Sequence, residues 1–448
     1  MLDVHGKSVV VVGLGKSGVA AARACAKLGA RVVGNDAKSR EALGEIADRL
    51  EAEGMSVVCG GHAGAGIERA DLVVVSPGVP TFSELEAAER AGIPIWGEVE
   101  LATRALVHAA PIVAIGGTNG KSTVTSLVGA LLASDGRRVF VGGNLGDPLA
   151  ERASERFDAI VLEVSSFQME RVDQFRPAVS VLLNVTPDHL DRYVDMQAYA
   201  HAKGNAFARQ TPDDVAVVPV GDDVCSAQAR RGRATTVTFG AGGDFDVTSD
   251  AIVDRATGER YERRSIALAG GHNALNVAAA LAAVRKFDVR PADVRRVLGE
   301  FRGLPHRTAF VAEIDGVRYY DDSKGTNVGA AVSALDGLGE PRGVLIAGGR
   351  DKGGAYDPLV AALRQKGRAA VLLGEAADRI ARAIGDAVPT VRVRTIDEAV
   401  RQSARLAVRG DAVLLSPACS SFDMFRDYKH RGDEFVRAVR ELAEERSR

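Results

Sequence analysis

The sequence predicts an α/β protein built from three domains. Its 448 residues exceed what one ordinary hydrophobic core accommodates. Short β-branched runs ending in Gly, Ser or Asn alternate with alanine-rich amphipathic stretches, the strand-loop-helix rhythm of α/β proteins. That rhythm restarts twice, once near Pro111 and once after Pro305.

In chain order, residues 9–12, 31–34, 57–59 and 72–75 read as strands of a first domain, closed by 93–96 and bounded at 1–98. A helix-like stretch over 98–108 leads to Pro111, and strand 112–115 opens a second domain, 99–304, with further strands at 159–163, 180–184 and 215–220. Within it, 240–264 is rich in Gly, Asp and Arg and reads as a loop and hairpin excursion. Strands at 317–320, 343–347, 370–373 and 412–415 make the third domain, 305–448. Repeats and low-complexity tracts are absent from the sequence.

Composition excludes several function classes. Hydrophobic residues make up 46% and charged residues 26%, the balance of a soluble globular chain. No uncharged apolar run reaches the roughly 18 residues needed to span a bilayer, so no membrane insertion is expected. The first apolar run follows a single lysine and meets Gly13 at once, which suits a buried strand better than a signal peptide and implies a cytoplasmic protein. Cys25, Cys59, Cys225 and Cys419 lie far apart with no C-x-x-C pair, which argues for reduced thiols rather than a zinc site or disulfide framework. A net charge of -2 gives no basic field for nucleic acid, so anionic ligands must be met by local clusters.

Two glycine-rich loops follow strands. Residues 13–18, GLGKSG, form G-x-G-x-x-G before a helix at 19–28, with Asp36 after the second strand. Glycines let backbone approach a pyrophosphate, and a helix N-terminus offers free N–H groups and partial positive charge. The motif specifies a diphosphate better than a particular cofactor: a nicotinamide or flavin, another nucleotide, or a tight structural turn all fit. Ser76 and Gly78, in the turn after strand 72–75, line the same crevice or make a plain Pro-Gly turn.

The second loop, 116–123, reads GGTNGKST between strand 112–115 and a helix at 124–133. Here Gly117, Thr118, Asn119 and Gly120 supply backbone amides, Lys121 can reach β and γ phosphates, and the Ser122 or Thr123 hydroxyl can ligate Mg²⁺. Position 115 is Ile, so Walker A spacing fails, yet strand, glycines, lysine and hydroxyl keep their order. This is read as an ATP site. Glu163 ends a following strand, where an acid faces the ligand crevice, and His189 leaves another strand end. A lone histidine is more often a satisfied surface or core residue, but beside Glu163 and a phosphate loop a ligand role is favoured. Lys203, on a helical run at 196–209, reads by itself as a solvated helix charge. A nicotinamide oxidoreductase would leave Lys121, Glu163 and His189 without a task; a nucleotide-binding switch would not explain the first glycine loop.

The segments GGTNGKST, LEVSSFQ, NVTPDHLDRY, GHNALN, LPHR, DDSKGTN, GGRDKG and SPACSSFD, in this order, resemble the Mur ligase family over nearly the whole chain. The resemblance implies a Rossmann-like N-terminal domain for a UDP-sugar, a central P-loop ATPase-type α/β domain, and a Rossmann-like C-terminal domain for an incoming amino acid. It implies monomeric, ATP-dependent amide-bond formation in peptidoglycan precursor synthesis, with UDP-N-acetylmuramoyl-L-alanine and D-glutamate as substrates and an acyl phosphate followed by a tetrahedral intermediate. It implies two Mg²⁺ ions, one associated with Ser122 and Glu163, the other held through His189 and a carbamylated Lys203. Lys121, Glu163, His189 and Lys203 are then the catalytic group. By the same resemblance Gly15, Lys16, Ser17, Asp36, Ser76, Gly78 and Asn144 face the UDP-sugar. The nucleotide is expected to meet residues 117–123, His272, Asn273, Asn276, Arg307, Asp322 and Lys324, and D-glutamate to meet Thr326, Lys352, Ser421 and Phe422.

Overall fold

A computed structural model describes residues 2–190, 192–268, 270–351 and 355–447. The chain forms two compact units. One runs to Val185 and adds Tyr199–Arg260 and Val277–Val297; the other takes Thr186–Ala198, Tyr261–Asn276 and the chain from Leu298 onward.

The first unit contains a five-stranded parallel sheet of β1 (Ser8–Val12), β2 (Arg31–Asp36), β3 (Ser56–Cys59), β4 (Leu72–Val75) and β5 (Ile95–Gly97), in the order β3-β2-β1-β4-β5. Strand period puts Val9 and Val11 on one face against Ala21, Cys25 and Leu101, and Val10 and Val12 on the other against Ile67, Leu85 and Ala88. Both faces are covered, so the strands read as continuous apolar runs. The order reverses between β1 and β4, which opens a crevice at the C-terminal strand ends. Gly18 is needed beside that crevice because a Cβ there would lie 1.7 Å from the Gly13 carbonyl oxygen.

A nine-stranded sheet follows: β6 (Ile112–Gly116), β7 (Val139–Gly143), β8 (Ala159–Glu163), β9 (Val179–Leu182), β10 (Val215–Pro219), β11 (Thr235–Gly240), β12 (Phe245–Val247), β13 (Ala251–Asp254) and β14 (Arg260–Glu262). Its order is β14-β13-β12-β11-β10-β9-β6-β8-β7. The segment expected as a loop and hairpin therefore extends the sheet edge with β12, β13 and β14. In the second unit β15 (Ala309–Ile314), β16 (Val317–Asp321), β17 (Gly343–Gly348), β18 (Gly367–Leu373), β19 (Thr390–Arg392) and β20 (Ala412–Leu415) form a sheet ordered β15-β16-β20-β17-β18-β19, antiparallel only at β15. Leu345 and Ala347 pack on Ala331, Leu335 and Leu359, while Val344 and Ile346 pack on Ala399, Phe435 and Val439. Each Val, Leu, Ile or Phe among these contributes about 1.5–3 kcal/mol by burial, and each Ala less.

Two helices are shorter than expected: Glu98–Arg104 and Met196–Gly204. The first buries two acids. Glu100 is fully buried and accepts the N–H groups of Asp173, Gln174 and Phe175 and the Arg104 guanidinium, tying the helix to the 173–175 turn. Glu98 accepts from the Ala150 N–H at 3.3 Å, and burial pushes its carboxyl up to about 7. All four cysteines are free. No described helix is long and apolar enough to cross a membrane.

The Glu98 shift sets a pH dependence. Between its ordinary value and about 7 the folded chain keeps a proton that the unfolded chain releases, so stability falls as pH rises through that window. Relative to wild type, Glu98→Gln is expected to gain about 3 kcal/mol between pH 4 and pH 8. Denaturant titrations of both proteins at the two pH values check this; a pH-independent difference would show that Glu98 ionises normally.

Candidate active site

In the first unit the site is assembled at C-terminal strand ends. Strand β6 ends at Gly116, and the next residues turn sharply, with φ of 143° at Gly117 and 85° at Gly120, a left-handed conformation that glycine adopts without a side-chain clash. Gly120 caps the helix Lys121–Ala133, whose first turn contains buried Ser122 and Thr123 and no acidic residue. Neighbouring β9 braces the loop: the Thr118 N–H donates to the Asn184 carbonyl at 3.0 Å, and the Asn184 side chain accepts from the Asn119 N–H at 2.9 Å. The Thr118 hydroxyl lies 3.2 Å from the Tyr199 hydroxyl.

Two ammonium groups meet at this loop. Lys121 Nζ donates to the carbonyls of Gly117 at 2.9 Å and Thr118 at 2.8 Å. Lys203 Nζ donates to the same Gly117 carbonyl at 2.8 Å and lies 4.5 Å from the centre of the Tyr199 ring. Lys203 is 5% exposed, so its reading as a solvated helix charge is overturned: the helix Met196–Gly204 delivers it inward. A loop with an acid-free helix N-terminus and two lysines is a concentrated positive field that suits a polyphosphate.

Glu163, 3% exposed, ends β8 beside β6. Its Oε1 accepts from Asn144 Nδ2 at 2.6 Å, and the Asn144 N–H donates to its carbonyl at 2.9 Å. The loop carrying Asn144 also receives the first glycine motif: Lys16 Nζ donates to the Gly146 carbonyl at 2.9 Å and Asp147 Oδ1 at 2.8 Å. The structure thus brings Lys16, Asn144 and Glu163 onto one run of contacts. Gly15 caps the helix Lys16–Lys27, which begins three residues earlier than expected and takes in Ser17. Ser76 Oγ donates to the Gly13 carbonyl at 2.6 Å, and Gly78 takes a φ of 87°. Asp36 holds the loop itself, accepting the N–H groups of Leu14 at 2.7 Å and Lys38 at 2.9 Å.

The second unit presents its own set of loops. His189 has a φ of 56°, an uncommon backbone state for this residue type, and its Nε2 lies 3.7 Å from Asp188 Oδ2. Asp188 also accepts from Asn327 Nδ2 at 3.2 Å. A cavity of about 250 Å³ is lined here by His189, Asn327, Val332, Asp351, Tyr356 and Ala418 among others. Asn273 accepts from Asn276 at 3.1 Å on one helix face, and burial lowers the basicity of His272. Arg307 stands between two left-handed residues, His306 and Thr308. Asp322 accepts from Ser416 Oγ at 2.6 Å, and burial pushes its carboxyl up to about 7. Lys324 Nζ lies 4.1 Å from the centre of the Tyr428 ring. The Thr326 N–H donates to the Lys324 carbonyl at 2.8 Å; Ser421 is buried, and Phe422 is 67% exposed. Lys352 lies outside the described residues.

Sequence reasoning missed Asp188, His306, Ser416, Tyr428 and Arg431. Asp188, His306 and Ser416 were in quoted motifs without a role, and Tyr428 and Arg431 lie beyond the last motif. His306 Nδ1 is 2.6 Å from Asp321 Oδ2, a pairing of loop and strand end that no local spacing announces.

Family models match three stretches: a Mur ligase MurD-like N-terminal domain at 7–97, a Mur ligase middle domain at 115–284, and a Mur ligase glutamate ligase domain at 306–419. A protein of Anaeromyxobacter dehalogenans named UDP-N-acetylmuramoylalanine–D-glutamate ligase is 47% identical over 98% of this chain and 99% of its own length. A protein of Pelobacter propionicus with the same name is 43% identical over 98% and 100%. Among solved structures, the UDP-N-acetylmuramate–alanine ligase of Thermotoga maritima aligns with a TM-score of 0.60 at 19% identity, over 98% of this chain and all of the other. A pseudomurein peptide ligase type C of Methanothermus fervidus aligns at 0.61 and 17% with the same coverage. These two likenesses show the fold, and the full-length identities show the family. With its three matched domains and near-complete alignment to those relatives, this chain belongs to the Mur ligase family.

Proposed function

We propose that the protein joins the amine of D-glutamate to the alanyl carboxylate of UDP-N-acetylmuramoyl-L-alanine, converting ATP to ADP and phosphate. The observation that carries this reading is the meeting of Lys121 and Lys203 at the Gly117 carbonyl, supported by the name shared by its full-length relatives. In this reading residues 1–98 hold the UDP-sugar, 99–304 the ATP and 305–448 the amino acid.

The chemistry follows from leaving groups. A carboxylate cannot expel oxide, so one of its oxygens attacks the γ-phosphorus and ADP departs. The amine then adds to the acyl phosphate carbon, the tetrahedral intermediate collapses, phosphate leaves with the former carboxylate oxygen, and the amine loses a proton. Lys121 and the amides of 117–123 stabilise charge on the transferring phosphoryl group. Asn144 orients the reacting end of the UDP-sugar. Lys16 and residues 15–17 with Ser76 and Gly78 hold its diphosphate side, while Asp36 shapes that loop. Asn273, Asn276, Arg307, Asp322 and Lys324 are assigned to the nucleotide, and Thr326, Lys352, Ser421 and Phe422 to D-glutamate.

Magnesium fits the donor chemistry. Buried Ser122 and Glu163 offer the hard oxygen atoms that Mg²⁺ takes, and His189 with a carbamylated Lys203 would hold a second ion. Among the described residues no three His, Cys, Asp or Glu side chains cluster as a metal cage, so phosphate oxygens and water would complete each shell. Bound there, the metal would screen the negative charges of carboxylate and triphosphate. Carbamylation would exchange one of two neighbouring positive charges for an anionic oxygen ligand.

Purified protein given ATP, Mg²⁺ and UDP-N-acetylmuramoyl-L-alanine is expected to release ADP when D-glutamate is added, and not with L-glutamate or diaminopimelate. Release that ignores D-glutamate would reject the assignment. Lys121→Ala is expected to lower kcat on the order of 10³-fold. Lys203→Ala is expected to lose most activity and regain part of it with added acetate or formate; full activity without additive would reject the carbamate.

A further inference from the structure

Two loops of the second unit leave adjacent strands of one sheet. Residues 322–327 follow β16 and residues 416–422 follow β20, and β16 pairs with β20 in parallel. The reading above assigns Asp322 and Lys324 of the first loop to the nucleotide, and Thr326 of that loop with Ser421 and Phe422 of the second to the amino acid, and the inference here rests on it. The loops touch directly: Ser416 Oγ donates to Asp322 at 2.6 Å, and the Ala418 N–H donates to the Gly325 carbonyl at 2.9 Å. Ala418 takes a φ of 59°, so this arrangement is held against a local conformational cost.

Behind both loops lies Arg431, near the start of the helix Tyr428–Ser447 and only 1% exposed. Nε donates to Ser323 Oγ at 3.0 Å and one terminal nitrogen to the Ser323 carbonyl at 2.8 Å. The terminal nitrogens also reach the Cys419 carbonyl at 3.3 Å and the Ser420 carbonyl at 3.4 Å. Ser323 Oγ in turn donates to the Tyr428 carbonyl at 2.8 Å, so the hydroxyl both accepts and donates. A planar fork with five N–H donors can bind both loops at once; an ammonium on a flexible stem cannot reproduce that geometry. Burial lowers the Arg431 group only to about 10, so it remains cationic at neutral pH. Its hydrogen-bond partners are neutral carbonyl and hydroxyl groups on loops that are assigned to anions, while Asp321, Asp322 and Asp423 attract it through space.

We propose that Arg431 is a positioning residue that locks the 322–327 and 416–422 loops into one arrangement, so that the nucleotide and amino-acid sites form together. Removing the fork therefore disturbs both sites, although the side chain is assigned to neither ligand.

The test compares wild type with Arg431→Lys, Arg431→Ala and Ser323→Ala in the ADP-release assay and in hydrogen exchange without substrates. Arg431→Lys is expected to raise KM for ATP and for D-glutamate together, by about tenfold each. In Arg431→Ala, millimolar methylguanidinium is expected to restore both KM values in parallel, and methylammonium neither. Exchange is expected to lose protection at amides of 322–326 and 416–420 together while β17 stays protected. If Arg431→Ala does not fold, Ser323→Ala carries the test through a smaller parallel rise. A rise in one KM alone, equal rescue by methylammonium, or protection lost in one loop only would overturn the proposal. Exchange judges Arg431 independently of substrate identity; loss of the D-glutamate requirement in wild type would instead overturn the activity.

Discussion

One carbonyl oxygen organises the central site. The Gly117 carbonyl accepts from both Lys121 and Lys203, which places two positive charges within a few ångströms of each other at a helix N-terminus. Such an arrangement is favourable around a polyphosphate, because the donors are oriented before the ligand arrives. The surroundings follow from that requirement. Strand β6 lies between β8 and β9, so the glycine loop is flanked by Glu163 on one side and braced by Asn184 on the other. The short loop permits this bracing, since the Asn184 side chain and backbone meet consecutive residues, Asn119 and Thr118.

The same rule recurs in all three sheets. Parallel strands direct their C-terminal ends to one edge, and the loops that follow carry the residues assigned to the ligands. In the first sheet the edge holds GLGKSG, with Asp36 spending both carboxylate oxygens on backbone amides and so fixing the shape of the loop. In the third, loops after β16 and β20 carry Asp322, Lys324 and Ser421, and the buried Arg431 fork joins them from behind. Rigid sheets thus position groups on loops that would otherwise wander, and buried polar side chains supply the remaining restraint.

Legibility in the sequence tracked how local each cause was. The apolar runs of β1, β4, β6 and β17 were readable because burial on both faces leaves no polar alternation to confuse. The glycine loop at 116–123 was readable because its backbone donors, lysine and hydroxyls are consecutive. Strand β7 was not: Val139–Gly143 ends in two glycines and has an exposed valine at its centre. Strands β12 and β14 are three residues each and gain their identity from a neighbour, which a window along the chain does not contain. Lys203 looked like an ordinary helix charge, and only tertiary contact reveals where it points; the buried Glu100 carried no sequence signal at all. Arg431 lies 108 residues from Ser323, on a helix whose charged pattern hides a buried cation. Motifs therefore revealed the residues proposed to meet the ligands, while the residues that hold those motifs in place stayed silent.

In the proposed reaction the glycine loop presents the γ-phosphate of ATP to a substrate carboxylate. The most direct measurement is the fate of an oxygen atom. With UDP-N-acetylmuramoyl-L-alanine labelled with ¹⁸O in its carboxylate, one labelled oxygen is predicted to appear in each inorganic phosphate formed, read by the isotope shift in the phosphorus resonance. Phosphate free of label, with amide formed at the normal rate, would contradict the acyl phosphate route and with it this account of the loop.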